Sequence, residues 1–596
     1  MKKLAERVEQ RSVIFDQCVA LGNLLRRHPF DDLFLRNRRV RIAADRAENV
    51  PHIRAHQIGC GHADAKLIVP ANPRLRARMA FQRRPQIPLK RALFVLFNTK
   101  AARVQHANQF LGLCIARLGR RQKGLQGFFK TPFVHKVAPG FDFRHRRGGD
   151  EKGDCKNYLA HGFTAAFLGF ASMSQAETLP QPLQPSDFIE VDLKQAELGR
   201  LLFYDPILSG NRNISCGTCH AVEHGTSDGL SLGIGEGGAG VGPERTAGEG
   251  RDRIKKRTPR NAPALWNLGA REIRVMFHDG RVEPADFYDN GFNTPAQERL
   301  PEGLNGILAV LALFPLTAQF EMAGDPGEND VAGAVYDRID NVWPIIAKRV
   351  RLIPEYAEKF VAAFDDVDAS EDVRIAHIAN ALAAFQAFEY QSYDSPFDDF
   401  LNGETHALSP SQQRGMALFY GDAGCSACHS GPLFTDQEFH AIALPMFGPG
   451  RTRVWDPIAR DVGRMAVSDR REDAYRFRTP SLRNVALSGP YGHNGAYRSL
   501  EGIVRHHLAP ASAFANWEPS SVILPDIPWL NDRDFLPLQD QRERARIAAA
   551  IDLKPMSLTD TEVSDIVAFL KALTGTESLE GRFGKPETVP SGLPVD

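Results

Sequence analysis

The sequence predicts a mainly α-helical protein that contains two related domains. Three observations predict it. Apolar residues recur at helical spacing in segments spread from residue 193 to 574. Strand-like alternation is scarce. One unit, a helix followed by a cysteine motif, occurs twice.

The first copy begins at residues 193–204, Leu-Lys-Gln-Ala-Glu-Leu-Gly-Arg-Leu-Leu-Phe-Tyr. Residues 409–420, Ser-Pro-Ser-Gln-Gln-Arg-Gly-Met-Ala-Leu-Phe-Tyr, repeat its pattern. Each runs through a short polar stretch into a Cys-x-x-Cys-His motif. The motifs are Cys216-Gly-Thr-Cys219-His220 and Cys425-Ser-Ala-Cys428-His429, their histidines 209 residues apart. Between them, residues 331–364 and 371–391 read as amphipathic helices. Leu500 to His507 reads as a further helix. Ser557 to Thr574 opens with a capping pattern, Thr559-Asp-Thr-Glu562, and forms a closing amphipathic helix. A Gly-rich loop, Gly233 to Gly250, and a basic stretch, Arg251 to Arg260, follow the first motif and are expected to be flexible or surface-exposed.

At 596 residues the chain exceeds one hydrophobic core. The net charge of +1 hides a split: residues 1–150 hold 31 Lys and Arg against 10 Asp and Glu, and residues 151–596 hold 42 against 62. Two parts of opposite sign raise the question of whether both belong to one folded unit. Cys18, Cys60, Cys114 and Cys155 are scattered through the basic part and its edge, and the other four cysteines lie in the two motifs.

Residues 156–176 have a lysine, a short apolar run from Phe163 to Met173, and small residues leading to Ala176. That is the layout of a secretory signal, and the run is too short for a membrane span. A signal works at an N-terminus, so residues 1–155 are expected to be a basic extension outside the mature protein. A basic nucleic-acid-binding domain is the rival reading, supported by charge alone. The expected location is the periplasm, with no nucleic-acid partner and no stable membrane span in the mature protein.

Cys-x-x-Cys-His has a physical logic. Two thiols one helical turn apart reach the two vinyl groups of a porphyrin, and the next residue, histidine, lies beneath the iron. A zinc site needs four ligands, and each motif offers three. A thioredoxin-like pair needs no following histidine and sits in a βαβ context. Two complete copies in an exported chain therefore predict two covalently bound haem c groups, held by Cys216, Cys219, His220 and by Cys425, Cys428, His429. The sixth ligand decides whether a haem carries electrons or binds peroxide, and no spacing rule finds it.

From about residue 190 to 575 the chain resembles the bacterial di-haem cytochrome c peroxidases and their MauG-like relatives. The resemblance rests on segments in order. These include Leu198-Gly-Arg-Leu-Leu-Phe-Tyr-Asp-Pro-Ile-Leu-Ser209, Arg260-Asn-Ala-Pro-Ala-Leu-Trp-Asn267, Phe277-His-Asp-Gly-Arg281 and Phe320-Glu-Met322. Gly431-Pro-Leu-Phe-Thr-Asp436, Phe477-Arg-Thr-Pro-Ser-Leu-Arg-Asn484 and Pro490-Tyr-Gly-His-Asn-Gly495 complete it. It implies two cytochrome c-like haem domains packed face to face. Residues 177–400 would hold the peroxide-binding haem and 401–596 the electron-transfer haem.

The resemblance assigns roles. His220 and His429 match the proximal ligands. Glu321 matches the acid/base over the peroxide-binding haem, where it would move a proton between the peroxide oxygens. Asn261, with the backbone oxygens of Ser488 and Pro490, matches an interdomain calcium site of the oxygen type that calcium prefers. Other positions depart from the pattern. The distal histidine of the peroxidases, sixteen residues after the first proximal one, is Glu236 here. The tryptophan between the haems is His278: a poorer electron carrier, a ligand of haem 1, or a hydrogen-bonded core histidine. A glutamine near the peroxide site is Leu311. The sixth ligand of haem 2, methionine in peroxidases and tyrosine in MauG-like enzymes, falls on His507, with His506 and Met446 as alternatives. A bis-histidine haem has a lower potential than a His/Met one.

The resemblance implies a cytochrome-c peroxidase-like oxidoreductase that reduces hydrogen peroxide to water. Electrons would come from a small donor protein, a cytochrome c or a cupredoxin. The alternatives are MauG-like oxidation of residues on a partner protein and a non-catalytic di-haem electron carrier.

Overall fold

The computed structural model describes residues 179–451 and 459–596. The basic segment 1–155, the secretory pattern 156–176 and the four scattered cysteines lie outside the described residues.

Helix α1, Leu193–Tyr204, starts where Asp192 accepts hydrogen bonds from the N–H groups of Lys194 and Gln195, as an N-cap should. Its buried face holds Leu198, Leu202 and Phe203. Helix α2, Cys216–Cys219, is the single turn of the first cysteine motif. Helix α3, Ile375–Glu389, is apolar nearly all round and is buried along almost its whole length. The expected long helix over 331–364 is three pieces, Asp330–Asp337, Val342–Arg351 and Pro354–Ala363. It breaks at extended Arg338 and again at Ile353, which precedes a proline and is therefore held out of the helical region.

The second half repeats this plan. Helix α4, Pro410–Tyr420, is capped by Ser409 and precedes the second cysteine motif. Helix α5 is Leu500–Leu508. The closing helix α6, Asp560–Lys571, begins at the predicted box, in which Thr559 Oγ1 accepts from Glu562 N–H and Glu562 accepts from Thr559 N–H.

The two copies cross their partner helices in the same way. A Cβ added to Gly199 of α1 would lie 1.9 Å from the Ala381 carbonyl oxygen of α3, and one added to Gly415 of α4 would lie 1.9 Å from that of Asp565 on α6. Only glycine allows this approach. One turn on, Phe203 meets Phe385 at a ring-centroid distance of 5.1 Å, and Phe419 meets Phe569 at 5.3 Å. Each buried phenylalanine contributes roughly 1.5–3 kcal/mol of transfer free energy.

The strands among the described residues are two short antiparallel pairs. Glu283–Pro284 pairs with Phe292–Asn293, and Phe439–His440 pairs with Phe477–Arg478. The first core gathers residues from Leu183 to Tyr390 together with Leu433 and Val589, and the second gathers residues from Phe397 to Leu573. The boundary near 400 runs differently from the sequence expectation at three points, of which Leu433 in the first core is one. The helix Pro396–Leu401 belongs to the second core. The tail belongs to the first: Val589 is buried there, Glu389 accepts from the N–H groups of Phe583 and Gly584, and Ser591 donates to Asp205. No pattern in that tail marks it as packed.

The loop after the first motif is buried at its start, exposed over much of Ala239 to Gly250 as expected, and pinned by one arginine. Arg245 is buried and donates to the carbonyls of Ile234, Gly235 and Gly240. The basic stretch is not solvated throughout either. Arg257 pairs with Asp534 at 2.9 Å, and Arg260 pairs with both Asp461 and Asp279. These buried pairs tie residues of the two halves together. No helix among the described residues is long and apolar enough to cross a membrane.

Candidate haem sites

The first motif is a helical turn closed by a reciprocal cap. Ser215 Oγ accepts from Thr218 N–H, and Ser215 N–H donates to Thr218 Oγ1. The turn puts both thiols on one side and leaves His220 at its end, its N–H bonded to the Cys216 carbonyl. The second motif makes a tighter 3₁₀ turn over Cys425–Ala427, with His429 N–H on the Cys425 carbonyl. All four cysteines are free of disulfides. Burial pushes the Cys216 and Cys219 thiols up to about 12 and Cys425 up to about 11. A dithiol exchange site favours the opposite shift, so this burial argues against the thioredoxin-like reading.

The histidine environments fit iron ligation. His220 Nδ1 lies 2.8 Å from the Thr226 carbonyl, and His429 Nδ1 lies 3.1 Å from that of Phe434. A carbonyl only accepts, so each Nδ1 carries the proton and each Nε2 keeps its lone pair for a metal. Burial lowers both imidazoles, His429 to about 4, so both are neutral.

His507 on α5 lies beside His429 at the second site. Its ring centroid is 6.4 Å from that of His429. Two imidazoles bound through nitrogen to one iron, at about 2 Å each, need roughly this separation. His507 Nδ1 donates to the Ile503 carbonyl one turn back, leaving Nε2 free. The alternatives are otherwise engaged. His506 uses both nitrogens, Nε2 on the Ile442 carbonyl at 2.6 Å and Nδ1 with the Tyr497 hydroxyl at 2.8 Å. The Met446 sulfur accepts from Asp461 N–H.

His429 and His507 line one large, mostly apolar cavity with Cys425 and Cys428. Its walls include buried polar atoms with no partner in the protein: Trp266 Nε1, His493 Nδ1 and Arg483 Nη2. Orphaned buried polar atoms are rare in native proteins. Together with the paired imidazoles and thiols they fit a covalently held haem. Cys428 also lies within 4.8 Å of Asp436 and His440. A cysteine committed to a thioether offers no thiolate to a second metal, and His440 pairs with Asp436 at 2.8 Å.

Glu321 sits in a π-helical turn, Gln319–Ala323. Such turns recur at functional sites. The neighbouring Met322 carbonyl accepts from Gly210 N–H at 2.8 Å, which ties this turn to the segment leading into the first motif. Burial raises its carboxyl above the ordinary range, opposed by Arg281, Arg451 and Arg260. These arginines converge on Asp279, which is wholly buried. Arg260 lies at 2.8 Å, Arg281 at 3.1 Å and Arg451 at 3.3 Å. Burial alone would raise the Asp279 carboxyl, but the three guanidiniums hold it far below the usual range. Sequence reasoning missed this cluster. Asp279 and Arg281 lie in the quoted Phe277–Arg281 segment, whereas Arg451 comes from the other half and carries no local signal.

Glu236 does not reach into the site. Its carboxylate accepts from Asn211 Nδ2 at 2.7 Å and Asn213 Nδ2 at 3.0 Å, and its N–H donates to the Glu321 carbonyl. His278 lines the second cavity with its Nε2 on the Asn261 carbonyl at 3.2 Å. That bond matches the core-histidine reading, and burial holds the ring neutral at about 3. Asn261 donates from Nδ2 to the Leu230 carbonyl, which leaves Oδ1 available, and Ser488 and Pro490 line the same cavity. Leu311 packs against the first core.

The model of the family "Di-haem cytochrome c peroxidase" matches residues 193–406. The methylamine utilization protein MauG of Methylorubrum extorquens is 28% identical over 380 residues, 64% of this chain and 78% of the relative. Cytochrome c551 peroxidase of Pseudomonas aeruginosa is 30% identical over 340 residues, 55% of this chain and 77% of the relative. Among solved structures, a MauG-like protein associated with microbial copper homeostasis is 26% identical, with 69% of this chain and 97% of that one covered and a TM-score of 0.45. The chain belongs to the di-haem cytochrome c peroxidase family, in which relatives bear both the peroxidase and the MauG names. It is a haem c, peroxidase-like oxidoreductase.

Proposed function

We propose that this protein reduces hydrogen peroxide to water at its first haem, using electrons that enter at its second. The asymmetry of the two sites carries this reading. His507 stands opposite His429, so the second site is closed by two imidazoles. The first site has His220 on one side, and the turn that carries the half-buried Glu321 is tied to the segment leading into Cys216.

Bound haem would supply the reducing electrons and the place where the O–O bond breaks. Glu321 takes the proton from one peroxide oxygen and returns it to the other, which leaves as water. Arg281 and Arg451 draw negative charge toward this corner and keep the carboxylate accessible against its burial. Asp279 fixes both arginines. The Thr226 carbonyl orients His220, and the Ile503 and Phe434 carbonyls orient the imidazoles of the second site.

The two haem domains are read as facing each other, with a calcium ion on Asn261 Oδ1 and the backbone oxygens of Ser488 and Pro490. The donor is read as a small redox protein, a cytochrome c or a cupredoxin. The location is read as periplasmic, from the secretory pattern of residues 156–176.

MauG-like oxidation of a partner protein is the second reading. It is favoured by Glu236, which stands at the distal-histidine position and is bound to Asn211 and Asn213. Rapid mixing of the half-reduced holoprotein with peroxide, followed by a small ferrous cytochrome, separates the two. The proposal expects fast peroxide consumption and prompt oxidation of the cytochrome. Peroxide consumption with an undischarged oxidised protein supports the second reading instead.

A further inference from the structure

Arg478 is a half-buried cation that makes no ion pair, although the charge of Asp436 reaches it. It belongs to the strand pair Phe439–His440 with Phe477–Arg478 and lines the second haem cavity beside His440 and Lys554. Among the described residues no carboxylate forms an ion pair with it. Its Nε donates to the Phe277 carbonyl at 3.1 Å and its Nη1 to the Thr479 carbonyl at 3.2 Å. Carbonyls satisfy hydrogen bonds but do not neutralise a charge. A guanidinium in such a place is costly unless an anion joins it. The cavity is otherwise mostly apolar, and the group it fits carries two carboxylates.

The same residue reaches the other site. Arg478 N–H donates to the His278 carbonyl at 2.8 Å, and its Nε holds Phe277. Phe277 and His278 lead directly into Asp279 and Arg281. Arg281 stacks on the Phe277 ring at 3.4 Å and pairs with Asp279. One side chain thus joins the wall of the second cavity to the segment that carries the arginine beside Glu321.

We propose that Arg478 receives a propionate of the second haem, and that it couples this carboxylate to the Phe277–Arg281 segment of the first site. The inference rests on two haems being held, and not on which reaction follows. A cation beside the haem disfavours the ferric form. Arg478 therefore raises the potential of a bis-histidine haem that would otherwise sit low.

The test is spectroelectrochemical titration of the holoprotein and its Arg478→Gln variant. Haem content and the low-spin spectrum of the second haem are checked first. In Arg478→Gln the ferrous-to-ferric ratio of the second haem at fixed applied potential should fall about tenfold, a shift of ~59 mV for a one-electron couple. Arg478→Lys keeps the charge and should restore most of the ratio. An unchanged potential in a fully loaded Arg478→Gln protein overturns the proposal while leaving the two-haem reading intact. Should Arg478→Gln not take up haem, redox-difference infrared spectra of wild type and Arg478→Lys decide. The propionate carboxylate bands should move when the planar guanidinium becomes an ammonium, and unmoved bands overturn the proposal. Loss of both haems in every variant and in wild type would instead defeat the haem reading itself.

Discussion

The imidazoles of His429 and His507 face each other with ring centroids 6.4 Å apart, each with its Nδ1 committed to a backbone carbonyl. Under the proposed function this relationship would give two cysteine motifs that look equivalent different chemistry. His429 and His507 would both ligate the iron of a haem held at the second. At the first, the residue at the corresponding distal-loop position, Glu236, is held by two asparagines.

His507→Ala should open the second site. The expected outcome is loss of one low-spin ferric signal and gain of a high-spin one by electron paramagnetic resonance, with both haems still attached. His507→Met should keep six-coordination and raise the potential of that haem. A low-spin spectrum unaltered in His507→Ala would remove His507 from the iron.

Glu321→Gln should slow the reaction with peroxide by about 10²–10⁴-fold, the usual worth of a positioned acid/base. Burial raises the Glu321 carboxyl, so the carboxylate form becomes available only above the ordinary glutamate range. The wild-type rate should therefore rise with pH through a shifted limb, and the glutamine variant should lack it. Stopped-flow absorbance across pH checks both.

Gly415→Ala should force α4 away from α6, because its Cβ would sit 1.9 Å from the Asp565 carbonyl oxygen. Overpacking of this kind costs about 1–3 kcal/mol. Removing the paired ring in Phe569→Ala should cost about 3–5 kcal/mol. Denaturant melts of the holoprotein measure both.

Asp228 offers a pH-dependent test of stability. It is buried, and burial raises its carboxyl from 3.8 to about 7. Between about pH 4 and 7 the unfolded chain loses this proton while the folded chain keeps it, so stability falls as pH rises and levels off above 7. Asp228→Asn should stabilise the protein at pH 8 by at most roughly 4 kcal/mol, at ~1.36 kcal/mol per pKa unit, and hardly at pH 4. Equal melting shifts at both pH values would contradict the assignment.

The helices beside the motifs were legible because their signals are local. Leu193–Tyr204 and Asp560–Lys571 carry both apolar period and caps. The proximal histidines were legible because the motif is contiguous. His507 was reachable only through resemblance, since its partner lies 78 residues earlier and only the fold sets their spacing. The pairing of Arg260 and Arg257 was hidden because their acids, Asp461 and Asp534, lie 201 and 277 residues away. A basic stretch looks solvated until those partners are known. The tail's return to the first core was hidden for the same reason: Ser591 meets Asp205 across 386 residues.

The asymmetry of the two haems is tested most directly by electron paramagnetic resonance of the holoprotein, ferric and half-reduced, before and after peroxide. The account predicts one bis-histidine low-spin signal that persists in the ferric protein. It predicts a second, separate ferric signal that peroxide alters at once. Two low-spin signals, both indifferent to peroxide in either redox state, would contradict it.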